Sequence, residues 1–478
     1  MTDLLGVRAA RGSLWLLGVN VVSKGSQMAV TLVLAAFLTE GDLGTVSLVV
    51  SLVNIGQVIQ SMGVYDVISR TDRDPRRFAG TVLTLSVSAG LVLAAALVLA
   101  ADVVAELFGT PGAAPLVRLA AVTLPFSAAG GVLMGLMHRD LDFRRRMLPD
   151  AGSAVLGAAV TVVLAAHGDG PRALVIGLLC TAIAQPVLGA LAGVRCRPGW
   201  DSGAAREALR WIAVVGPAAI VAVLLVTVDY LAIGHVLGAD ALGVYSLAYR
   251  IAWVPYILVA VVLGGVAFPL CAALIRSGRR AELPAVACRF TRATLAVTGG
   301  LFVVAAVLAD RVVLLGDRWA PAAGVLALLC GYGLAISVLQ TWHQVIKAAG
   351  HARLYLGLQA AHLVVLVSLL VPGTRFGVTA VALIQVGAAW LLVGGTWWAM
   401  VRRGLAFRPA ELARMALGVG LAGAVCAAAG MALDGGWTES VAGTLVEGLV
   451  LLVVYGGVLL LVDRDIVRQL RGLRAVGR

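Results

Sequence analysis

From residue 13 to residue 462 the chain is a succession of apolar runs of about 20 residues, each long enough to cross the hydrocarbon core of a bilayer as a helix, separated by short polar breaks. This alternation constrains the fold more than any motif does. Inside lipid every backbone amide must be paired within the protein, so runs of this length specify α-helices. Sixty per cent of the 478 residues are apolar, 13% are charged and the mean hydropathy is +0.98, values that no soluble domain of this size shows. We expect an all-α polytopic membrane protein with about fourteen spans, near 13–38, 43–66, 79–101, 113–137, 148–167, 172–194, 211–235, 242–270, 290–309, 320–346, 354–371, 377–400, 415–433 and 441–462. The opening MTDLLGVRAARGS has a basic flank, but the run after it is too long for a signal-peptide core and lacks a small-x-small cleavage site, so it reads as the first span.

The net charge of +12 is explained by where the charges lie, without nucleic acid. Thirty of the 37 Lys and Arg fall on the side of the N-terminus, and only Arg172, Arg311, Arg318 and Arg375 fall opposite. By the positive-inside rule both termini are expected in the cytoplasm, and the tail DRDIVRQLRGLRAVGR is expected to rest on anionic membrane lipids. None of the six cysteines forms CxxC or falls in a break placed outside, so no disulfide, metal or other cofactor is expected.

Two segments resemble each other: LTEGDLGTVSLVVSL from Leu38 and VLGADALGVYSLAYR from Val236. Aligning Gly44 with Gly243 also matches Leu43 with Leu242, Ser47 with Ser246 and Leu48 with Leu247. Each joins the first span of a set of six to its second, which gives a parallel repeat. The expected organisation is two pseudo-symmetric six-helix lobes, 1–200 and 201–405, then two further helices within 406–463 and a basic cytoplasmic tail, 464–478. Such lobes suit a transporter; a membrane scaffold of the same shape is the plainer reading.

Enzyme chemistry finds no support. The two lysines, Lys24 and Lys347, do not follow glycine, so there is no phosphate loop, and the six histidines make no HExxH. The longest exterior break is about a dozen residues, too short to display the acid and base groups of a glycan polymerase or ligase.

Polar residues inside the spans are costly and carry the functional signal. Asn20, Lys24 and Gln27 lie on one face of the first span, and Asn54, Gln57 and Ser61 repeat the spacing in the second. Lys24 either binds substrate or is tied to neighbouring amides for folding. Gln340, His343, Gln344 and Lys347 form a third stripe, where Lys347 has the length to snorkel to the cytoplasmic surface. Tyr245, Tyr249, Trp253 and Tyr256 form an aromatic stripe beside Arg250, a packing surface or a platform for sugar rings and phosphate. Asp229 lies at a depth similar to Arg250 and is either its structural ion partner or an ion-coupling site; Arg118 either snorkels or adds positive potential to a cavity. No carboxylate occupies the middle of spans one to six, which favours an anionic, hydrogen-bonding cargo over a cationic drug.

The stretch VDYLAIGHVLGADALGVYSLAYRIAWVPYILVAVVLGGVAFPL resembles the central signature of oligosaccharide flippases of the polysaccharide transporter family, through Asp229, Gly234, Gly238, Gly243, Tyr245 and Pro269. LGDRWAPAAGVLALLCGYG and LTEGDLGTVSL are similar to further blocks, so the likeness runs along most of the chain. The family lies in the multidrug/oligosaccharidyl-lipid/polysaccharide (MOP) exporter superfamily. The resemblance implies alternating-access movement of undecaprenyl-diphosphate-linked oligosaccharide across a bacterial inner membrane, with a glycan polymerase and glycosyltransferases as partners. It does not certify Lys24 and Arg250 as cavity cations. The rival expectations are a MATE-like ion-coupled antiporter of drugs or metabolites and a non-transporting scaffold.

Overall fold

The computed structural model describes residues 37–61, 64, 68, 74–110, 112–139, 143–433 and 440–463. They form sixteen α-helices and no strand: α1 (Glu40–Ser61), α2 (Pro75–Leu107), α3 (Ala113–Ala121), α4 (Thr123–Arg139), α5 (Phe143–Ala166), α6 (Pro171–Leu191), α7 (Ser202–Leu225), α8 (Val228–Val236), α9 (Gly238–Ala252), α10 (Val261–Arg276), α11 (Leu283–Val307), α12 (Ala322–Ala348), α13 (Ala352–Gly373), α14 (Val378–Arg402), α15 (Pro409–Leu433) and α16 (Val441–Val462). Twelve stretches are long and apolar enough to cross a membrane, thirteen if α7 is counted as one bent span. The all-α polytopic expectation holds. Most of the first expected span, with Asn20, Lys24 and Gln27, lies outside the described residues.

Two boundaries differ from the sequence expectation. The third span runs on to Leu107 through the break expected at 102–111, because Asp102 and Glu106 are tolerated on an exposed helix end, where Asp102 pairs with Arg118 at 2.6 Å. The span expected at 211–235 is discontinuous: α7 bends by 46° around Pro217, which has no N–H to give to the carbonyl one turn back, and then breaks at Val226 and Thr227. There the Thr227 hydroxyl donates to the Val223 carbonyl and closes the last turn of α7.

Helix starts follow capping chemistry. Asp74 accepts from Arg76 N with Pro75 at the first helical position of α2, Asp201 accepts from Gly203 N and Ala204 N at α7, and Ser440 accepts from Gly443 N at α16. Gly404, at φ 65°, ends α14 in the left-handed conformation that glycine alone adopts without strain, and Leu405 N donates back to Met400 O at 2.9 Å.

The chain divides into two compact units, Met1–Leu247 and Ala248–Arg478, with the boundary inside α9. In the first unit α5 and α6 cross at Gly157 and Gly177. A Cβ on Gly157 would land on Thr181 Oγ1 and the Gly177 carbonyl, and a Cβ on Gly177 on Thr161 Oγ1 and the Gly157 carbonyl. Close backbone approach of this kind is how helices associate where lipid removes the hydrophobic drive between them. The repeated segments use the same device. A Cβ on Gly44 would strike the Ala239 carbonyl and one on Gly243 the Glu40 carbonyl, so the starts of α1 and α9 meet reciprocally. The matched residues Leu43, Ser47, Leu48, Leu242, Ser246 and Leu247 are all buried there.

In the second unit α11 is the hub. It meets α12 through Trp342 Nε1 donating to Thr291 Oγ1 at 2.9 Å and through the Thr294–Thr341 hydroxyl pair at 3.0 Å. It meets α16 where Tyr455 packs on the Gly299–Gly300 step, leaving no room for a Cβ at either glycine. Arg311, just beyond α11, donates to Glu447 of α16 at 3.1 Å, and Arg292 lies 3.4 Å from Asp463 at the other end of the same helix pair.

Candidate functional site

The polar residues singled out by sequence fall into separate settings. In the first unit, Gln57 of α1 donates from Nε2 to Ser127 Oγ on α4 at 3.2 Å, while Asn54 stands exposed on the same helix. Asp229, in the first turn of α8, has no exposed surface. Its carboxylate accepts from Tyr245 Oη at 2.6 Å and from Tyr230 N at 2.9 Å, and the two tyrosine rings meet edge to face with centroids 5.7 Å apart. Arg250 belongs to the second unit, in the last turn of α9.

The aromatic stripe therefore divides. Tyr245 serves the Asp229 carboxylate, and the other three aromatics form a column in the second unit. Tyr249 stacks on Trp253 at 5.1 Å and 19°, Trp253 meets Tyr256 at 4.6 Å, and Tyr332 of α12 lies 6.0 and 6.2 Å from Tyr249 and Trp253. The backbone beneath the column is irregular. Pro255 supplies no N–H, and Tyr256–Ala260 form a π-helical turn, closed by Val261 N donating to Tyr256 O. Such turns redirect side chains and recur at functional sites. One turn on, Gly264 of α10 makes room for Gln340 and Gln344 of α12.

The third stripe continues from those glutamines. His343 is buried edge-on to Tyr355, with centroids 5.1 Å apart, and Lys347 places its ammonium 5.0 Å over the face of the same ring. Lys347 is thus held by a cation–π contact. Arg118 forms its ion pair with Asp102 in the open, both side chains being about half exposed.

Sequence reasoning missed Tyr332 and Tyr230. Tyr332 stands in LLCGYGLA with no polar neighbour to mark a face, and nothing short of packing places it against Trp253. Among the described residues no group of three His, Cys, Asp or Glu is placed to hold a metal.

Residues 33–324 match the family described as "Polysaccharide biosynthesis protein". The chain is 24% identical over 338 residues to the lipopolysaccharide biosynthesis protein WzxC of Escherichia coli (strain K12), covering 68% of this chain and 67% of that one. It is 27% identical over 320 residues to the succinoglycan biosynthesis transport protein ExoT of Rhizobium meliloti (strain 1021), covering 65% and 64%. The chain thus spans about two thirds of the length of these relatives. Among solved structures it superposes on the lipid II flippase MurJ in an inward closed conformation, with a TM-score of 0.75, 13% identity and coverage of 97% of this chain and 100% of that one. It also superposes on an inward-facing MATE family transporter of the MOP superfamily, with a TM-score of 0.64, 15% identity and coverage of 81% and 94%. At those identities the likeness establishes the fold alone, one shared with MurJ and with MATE transporters.

Proposed function

The chain belongs to the polysaccharide biosynthesis protein family, and from that premise we propose that it is a flippase moving undecaprenyl-diphosphate-linked oligosaccharide across the bacterial cytoplasmic membrane by alternating access. The observation that carries this reading is the column of Tyr249, Trp253, Tyr256 and Tyr332 on an irregular helix, next in sequence to Arg250 and followed by Gln340 and Gln344 at Gly264. Aromatic faces and amides are what sugar rings stack on and hydrogen-bond to, and fixed cations are what a diphosphate requires. Lys24 supplies the further cation and faces the diphosphate, with Asn20, Gln27, Asn54 and Gln57 lining the polar path in the first lobe. Both termini lie in the cytoplasm, and glycan polymerase and glycosyltransferases act before and after the transfer. WzxC and ExoT support the cargo class through the pathways in their names.

The experiment is transport of fluorescent lipid-linked glycan by purified protein in vesicles. Trp253→Ala and Lys24→Gln should insert normally and transport poorly, Lys24→Arg should keep part of the activity because the charge is retained, and Lys24→Glu should be inactive. Transport per inserted molecule near the parent level in all four variants would refute the proposal. Single cysteines at Arg76 and Asp42 test orientation: an impermeant thiol reagent on intact cells should reach the second and not the first.

A further inference from the structure

We propose that a pocket between the first turns of α11 and α15 binds the phosphodiester headgroup of an anionic glycerophospholipid. The cavity measures about 620 Å³, and its charged lining comprises Arg289 and Arg292 of α11, Arg408 of the connecting segment and Glu411 of α15. Arg292 is only 8% exposed, so it is a fixed cation in the wall, with Asp463 beside it at 3.4 Å. Arg289 and Arg408 are exposed at the rim. Three arginines outnumber the single lining carboxylate, Glu411, whose Oε2 accepts from Cys288 Sγ at 2.6 Å. Proline stands second in α11, at Pro284, and first in α15, at Pro409, and both helices turn backbone N–H groups without helical partners toward this end of the bundle.

The geometry is fixed by packing. The connecting segment is anchored by Phe407, which meets Trp397 edge to face at 4.9 Å, and Trp397 in turn lies against Trp342 at 5.3 Å. Arg408 is thereby presented next to a buried aromatic anchor.

A lipid fits better than a free anion or the chain itself. Inorganic phosphate needs only the guanidinium groups, whereas Pro284, Ala285, Ala406 and Phe407 add an apolar wall suited to glycerol and acyl ester. The pocket lies at the ends of apolar spans, the depth at which lipid phosphates sit. Beyond Asp463 the sequence carries five Arg and one Asp, a like charge that makes the tail a poor occupant of the pocket. The positive-inside rule accounts for basic helix ends but not for a cavity with a buried arginine; basic pockets between transmembrane helices suit anionic headgroups.

The test is native mass spectrometry and thermal melting of the full-length protein in detergent, titrated with phosphatidylglycerol, phosphatidylcholine or inorganic phosphate. Phosphatidylglycerol should be retained and raise the melting temperature, while the other two should do neither. The double variant Arg289→Gln/Arg408→Gln should weaken retention on the order of 30-fold. Arg402→Gln/Arg403→Gln removes the same charge from the neighbouring end of α14 and should change retention less than about threefold. Equal losses in the two double variants would assign the effect to diffuse charge and overturn the proposal. Equal retention of both lipids would also overturn it, as would inorganic phosphate binding as well as phosphatidylglycerol, the mark of a free-anion site.

Discussion

The two units hold their helices together by different means. In the first, α5 and α6 approach until the Gly157 and Gly177 backbones touch, with Thr161 and Thr181 satisfied by carbonyls of their own helices at 2.8 and 2.9 Å. In the second, α11 and α16 are joined by side chains: Arg311 to Glu447 at one end, Arg292 to Asp463 at the other, and Tyr455 between. Lipid tails are as apolar as leucine, so neither unit can rely on burial of apolar surface to bring helices together. One unit gains dispersion contacts through backbone proximity, and the other places charge opposite a charged partner. The first arrangement is sensitive to added volume and the second to lost charge.

The largest effect should come from the ion pair. The side chains of Glu447 and Arg311 are only 3% and 18% exposed, and Glu447→Gln removes the charged partner of a largely buried arginine. We expect a loss of about 3–5 kcal/mol, with partial recovery in Glu447→Gln/Arg311→Gln. Melting in detergent measures both, and an unchanged midpoint in the single variant would erase the distinction between the units. Next comes Gly157→Ala, whose added methyl has Thr181 Oγ1 and a backbone carbonyl in its way. Overpacking should cost about 1–3 kcal/mol, and Thr181→Ala in the same chain should relieve part of it. If Gly157→Ala melts like the parent, backbone approach is not what holds α5 to α6.

Tyr455→Phe sharpens the comparison from the other side. The tyrosine hydroxyl is buried without a hydrogen-bond partner among the described residues, so its ring rather than its polarity holds α16 on the Gly299–Gly300 step. The variant should stay within about 0.5 kcal/mol of the parent in the same melt. A loss of 2 kcal/mol or so would reveal a polar partner and make this contact part of the charge-and-hydrogen-bond set.

The smallest effect concerns His351, in the connection before α13. Its Nδ1 faces Arg403 at 3.0 Å and its Nε2 faces Arg280 at 3.4 Å, yet a neutral imidazole accepts at only one nitrogen. Desolvation, with the charges of Arg403 and Arg280 behind it, holds the imidazole below its ordinary value of 6.5. The folded state therefore binds this proton less tightly than the unfolded chain. The contribution to stability is level above about pH 6.5 and declines as pH falls from there to the folded midpoint. Arg403→Gln should move the imidazole titration, followed by NMR, back toward the ordinary value; an unmoved titration would remove Arg403 as a cause.

How much of this could be read from sequence depends on whether a residue's role is set along its own helix or between helices. The apolar runs set the all-α membrane fold because span length is a local requirement, and the Gly44–Gly243 alignment identified segments that do meet. The same periodicity grouped Tyr245 with Tyr249 and Trp253, but Tyr245 turns to Asp229, a residue sixteen positions earlier and beyond the Gly238 turn. Spacing along one helix cannot report that. Lys347 read as a snorkelling lysine because its partner, Tyr355, lies on the next helix. The anchor Phe407 and the Arg292–Asp463 pair join positions far apart in the chain and left no periodic trace.

The contact between the repeated segments has a further property. Glu40 meets Gly243 and Ala239 meets Gly44, pairs of equivalent positions exchanged between the two copies. That is the pattern of an isologous interface, in which a patch is complementary to itself. A half-length chain carrying a single copy would therefore present a second molecule with the same surface that one helix start presents to the other here. Residues on this surface face a double constraint, because a change in either copy disturbs a contact between equivalent halves.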